Sequence, residues 1–117
     1  MDPQVAVRLV GDVAIVDMTG RFTLGDGCAL LRDTVKQLLE SGHKHILISL
    51  RGVTYIDSSG LGQMAGCYVT ASRIGAQIKI LNARSKVSDM LQVTRLFSTI
   101  FVIFSDEDEA VRSFQPS

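Results

Sequence analysis

Tyr55-Ile56-Asp57-Ser58-Ser59-Gly60-Leu61-Gly62 is the stretch that decides how the rest of this 117-residue chain is read. An apolar extended segment ends in an acid, two hydroxyls and two glycines, and a helical pattern follows, so the order predicts a strand, a tight turn and a helix start. Asp57 or Ser58 can cap that helix, because a short side-chain oxygen accepts from the N–H groups that a first turn leaves without partners. Gly60 and Gly62 are expected to let backbone approach backbone. From Leu61 onward Leu61, Met64, Ala65, Tyr68 and Ser72 recur at helical spacing, so this face is expected to lie on a sheet. Ser58 then stands at the positive end of a helix, where an added phosphate is tolerated and readable. The plainer reading makes it an ordinary cap with nothing attached.

Upstream, His43 to Leu50 is a continuous apolar run after a helix and predicts a buried parallel strand; Arg51-Gly52 is expected to turn the chain into Val53 to Ile56. Before it, Cys28 to Ser41 carries the stripe Leu31, Val35, Leu38 and Leu39 and predicts an amphipathic helix that Gly42 stops. Earlier still, Val5, Val7 and Leu9 alternate, Gly11-Asp12 interrupts, and Val13 to Thr19 resumes a period of two. This reads as a hairpin whose second strand, apolar on nearly both sides, belongs inside a sheet, with Gly20 to Gly27 a loop. Downstream, Gly75 ends the motif helix and Ala76 to Leu81 is a short strand. Ser85 to Ser98 reads as a third helix, Thr99 to Phe104 as a last strand, and Asp106-Glu107-Asp108-Glu109 as the solvated start of a short helix whose dipole these acids complement. Gln115 to Ser117 is expected to fray. The alternation predicts an α/β fold: a mixed, mostly parallel central sheet of about five strands with about four helices packed on it, in one domain spanning 1–117.

Composition narrows the function. With 46% apolar residues the chain can build one core. Lys plus Arg number 12 and Asp plus Glu 12, so no net field collects nucleic acid or acidic membranes, and a partner is expected to be another protein. No apolar run approaches the roughly 20 residues that span a bilayer, and Met1-Asp2-Pro3 lacks the parts of a secretion signal, so a cytoplasmic location is expected. Cys28 and Cys67 read as small buried or half-buried thiols. His43 and His45 alternate with Lys44 at a strand entrance, with no Cys or carboxylate nearby in sequence, which favours a solvated strand end over a metal site. No Gly-x-Ser-x-Gly elbow and no Gly-x-x-x-x-Gly-Lys-Ser/Thr loop occurs, and the chain offers no nucleophile, base and orienter together. No catalytic residue, cofactor or metal is expected.

The residues resemble a known family, the STAS domains of the bacterial anti-sigma-factor antagonist type. Tyr55 to Gly62 matches the Asp-Ser-Ser/Thr-Gly-Leu-Gly signature, and the hairpin ending in Thr19-Gly20, the helix before His43 and the pattern Leu91, Leu96-Phe97, Phe101, Phe104 fall in the corresponding places. The resemblance implies a partner switch. The unmodified protein binds an anti-sigma factor that is also a serine kinase and so frees a sigma factor; phosphorylation reverses this, and a metal-dependent serine phosphatase resets it. By position the phosphorylated residue is Ser58, with Asp57, Ser59 and Gly60 supporting the turn, and Thr23, Asp26, Leu61, Gly62 and Met64 bordering the partner. The family often carries an acid shortly after the Thr-Gly; here that place is Thr23, and Asp26 is three residues on. A second function within the family, an interaction subunit of a lipid-transport or sensory assembly whose serine is never modified, is the alternative.

Overall fold

The computed structural model describes residues 3–22, 26–81 and 102–114. Strand β1 (Gln4–Val10) turns into β2 (Val13–Phe22); α1 (Asp26–Glu40), β3 (His45–Ile56), α2 (Ser58–Arg73) and β4 (Gln77–Leu81) follow, then β5 (Ile103–Phe104) and α3 (Glu107–Arg112). The five strands lie in chain order, with β1 antiparallel to β2 and every other pair parallel. The α/β class and the mixed, mostly parallel five-stranded sheet are as the sequence predicts. Among the described residues there are three helices; the helix expected at 85–98, the start of the last strand and the tail lie outside them.

The period of two in β2 explains its interior place. Ala14, Val16, Met18 and Phe22 point into the large core under α1 and α2, while Val13 and Ile15 point into a smaller one under α3. Leu31, Val35, Leu38 and Leu39 on α1, and Leu61, Met64, Cys67 and Ala71 on α2, complete the large core. Truncating one such buried side chain to Ala typically costs about 2–5 kcal/mol. Both long helices stop at glycines in the left-handed region, Gly42 and Gly75, where the next residue's N–H reaches back into the last turn (His43 to Leu38 O, 3.0 Å; Ala76 to Ala71 O, 2.9 Å).

Arg51-Gly52 does not turn the chain. β3 runs unbroken through it, because the register against β2 slips: Asp17 faces Ser49, but Thr19 faces Gly52. An extra residue is absorbed as an irregularity of the ladder, and a Cβ on Gly52 would lie 2.5 Å from Thr19 Cγ2. Two more boundaries move. β2 continues to Phe22, into the expected loop, and α1 begins at Asp26 instead of Cys28.

The acidic run is more than a solvated helix start. Asp106 caps α3 by accepting from Glu109 N at 3.0 Å, and Glu107 accepts from Arg8 Nη2 of β1 at 2.6 Å. Arg8 also pairs with Asp17 across the hairpin, so the guanidinium ties β1, β2 and α3 together. At the other end of α3, Lys79 Nζ donates to Ser113 O and lies 4.5 Å from the Phe114 ring centroid. Hydrogen bonding to Arg8 holds the Glu107 carboxyl below its usual range. A depressed carboxylate stabilises the fold above its unfolded value of about 4.3, and that contribution is lost as pH falls through the lower folded value. Arg8→Ala is therefore expected to cost about 0.5–1 kcal/mol near neutral pH, the small figure reflecting solvent screening of a partly exposed pair. Urea melts at pH 7 and in acid check this; the penalty should shrink below the ordinary glutamate range and in high salt.

The histidine entrance is partly occupied. His45 Nδ1 is 3.2 Å from Asp12 Oδ2, a carboxylate the hairpin turn brings in, and its ring lies 5.4 Å from that of Phe114. No group of three or more metal-ligating side chains occurs among the described residues.

Candidate functional site

Asp57 organises the turn after β3 with three hydrogen bonds. Its N–H donates to Phe22 O at the end of β2 (3.3 Å), its Oδ1 accepts from Gly60 N (3.0 Å), and its carbonyl accepts from Leu61 N (3.0 Å). Of the two possible caps, Asp57 is the one used: its backbone is extended and α2 begins at Ser58. Ser58 is thereby released from capping. It occupies the first helical position, is exposed, and its hydroxyl makes no hydrogen bond among the described residues; Ser59 beside it is half-buried.

Gly60 fulfils the expectation of close approach. A Cβ there would lie 2.6 Å from Ile56 Cγ1 and 2.7 Å from Phe22 O. Gly62 does not: a Cβ on Gly62, or on Gly66, would meet nothing within 4 Å. These glycines lie on the open side of α2. Ser58, Gly62, Gly66, Val69 and Arg73 all stand exposed at intervals of three and four, so they form one outward face with Ser58 at its head. Val69 is 48% exposed.

The buried side of α2 is also shifted from its expected place. Met64 is fully buried and Leu61 is 6% exposed, so their expected role at a partner surface is corrected to core. Cys67 and Ala71 share that side, whereas Ala65 and Tyr68 are half-buried and Ser72 is exposed. The reason is geometric: α2 packs against α1 as well as the sheet, and that rotates the buried stripe toward Cys67. Between the two helices lies a cleft of about 310 Å³ lined by Arg32, Lys36, Gln63, Gly66, Cys67 and Thr70 among others. Burial pushes the Cys67 thiol up to about 11, and it is inert by that measure. Of the expected partner residues, Thr23 lies outside the described residues and Asp26 is the first residue of α1.

One pair escaped the sequence reading. Arg21 and Tyr55 face each other across β2 and β3, with the guanidinium carbon 5.0 Å from the ring centroid, and both are exposed where the strands run into the motif. Only the slipped register brings them opposite, and spacing along the chain carries no trace of it.

A family model described as STAS domain matches residues 4–110. An anti-sigma F factor antagonist from Paenibacillus polymyxa is 29% identical over 72 residues, 62% of this chain and 61% of that protein, so the match spans less than two thirds of its length. Among solved structures, an anti-sigma factor antagonist from Mycobacterium paratuberculosis superposes with TM-score 0.84 at 18% identity, over 96% of this chain and 93% of that one. The Bacillus cell fate determinant SpoIIAA in its phosphorylated form superposes with TM-score 0.71 at 15% identity, over 96% of this chain and 100% of that one. At these identities the structural likeness is one of fold.

Proposed function

Because the chain belongs to the STAS domain family, we propose that it is an anti-sigma-factor antagonist switched by phosphorylation at Ser58. The observation that carries this reading is the placement of Ser58: exposed, free of capping, and at the head of the outward face of α2. The Paenibacillus polymyxa relative, an anti-sigma F factor antagonist, and the phosphorylated SpoIIAA fold support it.

In this reading the unmodified α2 face, with Gly62 and Gly66 leaving room for a partner's side chains, docks on a cytoplasmic anti-sigma factor that is also a serine kinase, and a sigma factor is freed. The kinase brings the ATP; a serine phosphatase reverses the modification. The chain itself acts as a binding protein and contributes no catalytic group. Asp57 and Gly60 hold the turn so that the Ser58 hydroxyl stays presented, and Ser59 fills its half-buried side.

The test is to incubate the unmodified chain, Ser58→Ala and Ser59→Ala with ATP and the cognate kinase, map phosphate by mass spectrometry and titrate the partner. Phosphate is expected on Ser58 of the first and of Ser59→Ala, while Ser58→Ala keeps binding but cannot be switched off. Phosphate on Ser59 would overturn the assignment. No phosphate, with binding constant throughout, would overturn the switch and leave an interaction subunit whose serine is never modified.

The open glycine face makes a separate prediction. Gly62→Leu is expected to melt no earlier than the parent chain, since a Cβ there meets nothing within 4 Å and the position is exposed, yet to weaken partner binding at least about tenfold by filling the docking space. Calorimetry and titration on one preparation check both halves.

A further inference from the structure

Strand β1, seven residues long, forms one edge of the sheet, and among the described residues no strand lies on the side of its backbone turned away from β2. Natural edges are usually guarded by lysines, prolines, bulges or inward charges. From Val5 to Val10 there is no lysine or proline, the register against β2 is continuous, and the only charge, Arg8, is occupied with Asp17 and Glu107. Leu9 is 62% exposed and Val7 44%.

We propose that β1 pairs antiparallel with β1 of a second copy of this chain, about a two-fold axis at Val7, making one continuous sheet. The backbone parity favours this register. The hairpin closes through Gly11-Asp12, Gly11 having φ +61° and no described non-glycine residue a positive φ, which fits a two-residue turn of type II′. Val10 and Val13, which flank such a turn, form a hydrogen-bonded pair, and pairs alternate along an antiparallel ladder. Arg8 and Ala6 therefore spend their N–H and C=O groups on β2, while those of Val5, Val7 and Leu9 point outward. Centred on Val7, the same three residues meet: Val7 faces Val7 and Val5 faces Leu9, each donating and accepting once across the seam.

The side chains agree with the backbone. Val5, Val7 and Leu9 are registered against Met18, Val16 and Ala14, so they share the face of the large core and would form an apolar row between the two α1 helices. On the other face Arg8 lies opposite Ala6 of the second copy, so no like charges meet. This segment is its own complement in both backbone and side chains, which is why the occupant is a second copy and not a strand of another protein. Since β3 of the two copies then runs in opposite directions, the Ser58 turns lie at opposite ends of the joined sheet and both stay open.

A seven-residue seam is at the small end of stable interfaces, so sedimentation of the full chain is read from about 10 µM to about 1 mM. A reversible dimer is expected, weakened at least about tenfold by Val7→Lys, which sets two ammonium groups against each other on the axis. Hydrogen exchange of the unsubstituted chain gives an independent reading: amides of Val5, Val7 and Leu9 should gain protection with concentration, while those of Ala6 and Arg8 stay protected throughout. If Val7→Lys fails to fold, this measurement decides. A monomer across the range, a dimer indifferent to Val7→Lys, or outward amides that exchange freely in the dimer would each overturn the proposal.

Discussion

Gly60→Val is expected to cost about 3 kcal/mol, at the upper end of overpacking effects, and to lower the melting temperature of a chain this size by on the order of 10 °C. A Cβ at this position would lie 2.6 Å from Ile56 Cγ1 and 2.7 Å from Phe22 O, and the second of these cannot rotate away. Phe22 O is also the acceptor for Asp57 N, so pushing β2 aside breaks a bond that holds the turn. Relief would have to come from moving the start of α2, and Asp57 Oδ1 would then lose Gly60 N. Gly62→Ala is the control with the opposite sign. In an open helical position the methyl restricts the unfolded chain and meets nothing, so about 0.5–1 kcal/mol of added stability is expected. Thermal melts of the two variants check the contrast; equal shifts would mean that Gly60 tolerates a side chain and that the turn is looser than its hydrogen bonds indicate.

The contrast between these glycines also marks how far the sequence could be read. That Asp57-Ser58-Ser59-Gly60 joins a strand to a helix was legible because apolar period, short polar residues and glycine all change within a few positions. The place of β2 inside the sheet was legible for a similar reason, since its apolar residues fall on both faces. Which glycine faces the core was not. Gly60 and Gly62 look alike in sequence, and only the docking of α2 against both α1 and the sheet turns one inward and the other out. The same rotation put Met64 and Leu61 in the core instead of at a partner surface, and exchanged Ser72 for Cys67 on the buried side. Long-range pairings were equally hidden. The unbroken β3, the Arg21–Tyr55 stack and the Arg8–Glu107 tie depend on register and on a helix that returns from the far end of the chain. Local pattern fixes what each segment is; what it touches is set by packing.

The largest functional effect is expected from phosphorylating Ser58, and the charges around the turn indicate where it acts. A phosphoserine carries about −1.5 to −2 at neutral pH. Exposed at a helix N-terminus it gains roughly 0.3–1 kcal/mol, but the neighbouring Asp57 carboxylate already accepts from Gly60 N in that field and repels a second anion. The two contributions nearly cancel, and because the Ser58 hydroxyl holds nothing else in the described fold, modifying it breaks no internal bond. The melting temperature of the phosphorylated chain is therefore expected to stay within about 3 °C of the unmodified one, the shift that corresponds to less than 1 kcal/mol. At a docked interface the balance is different. The outward face of α2 presents a hydroxyl, two glycines and a valine before it reaches Arg73, which lies about 22 Å along the helix axis from Ser58 at about 1.5 Å per residue, so a dianion on Ser58 must be desolvated with no cation of that face within reach, at a cost of several kcal/mol. Each 1.4 kcal/mol is tenfold, so affinity for the anti-sigma factor should fall by about two to three orders of magnitude. The phosphate's second pKa near 6 adds a pH signature: below it the group loses a charge, and part of the binding should return. Partner titration at pH 7.5 and pH 5.5, with circular dichroism and melting of both forms, separates the outcomes. A large melting shift or lost helix signal would mean that phosphorylation refolds the domain, and undiminished binding would mean that Ser58 is no switch.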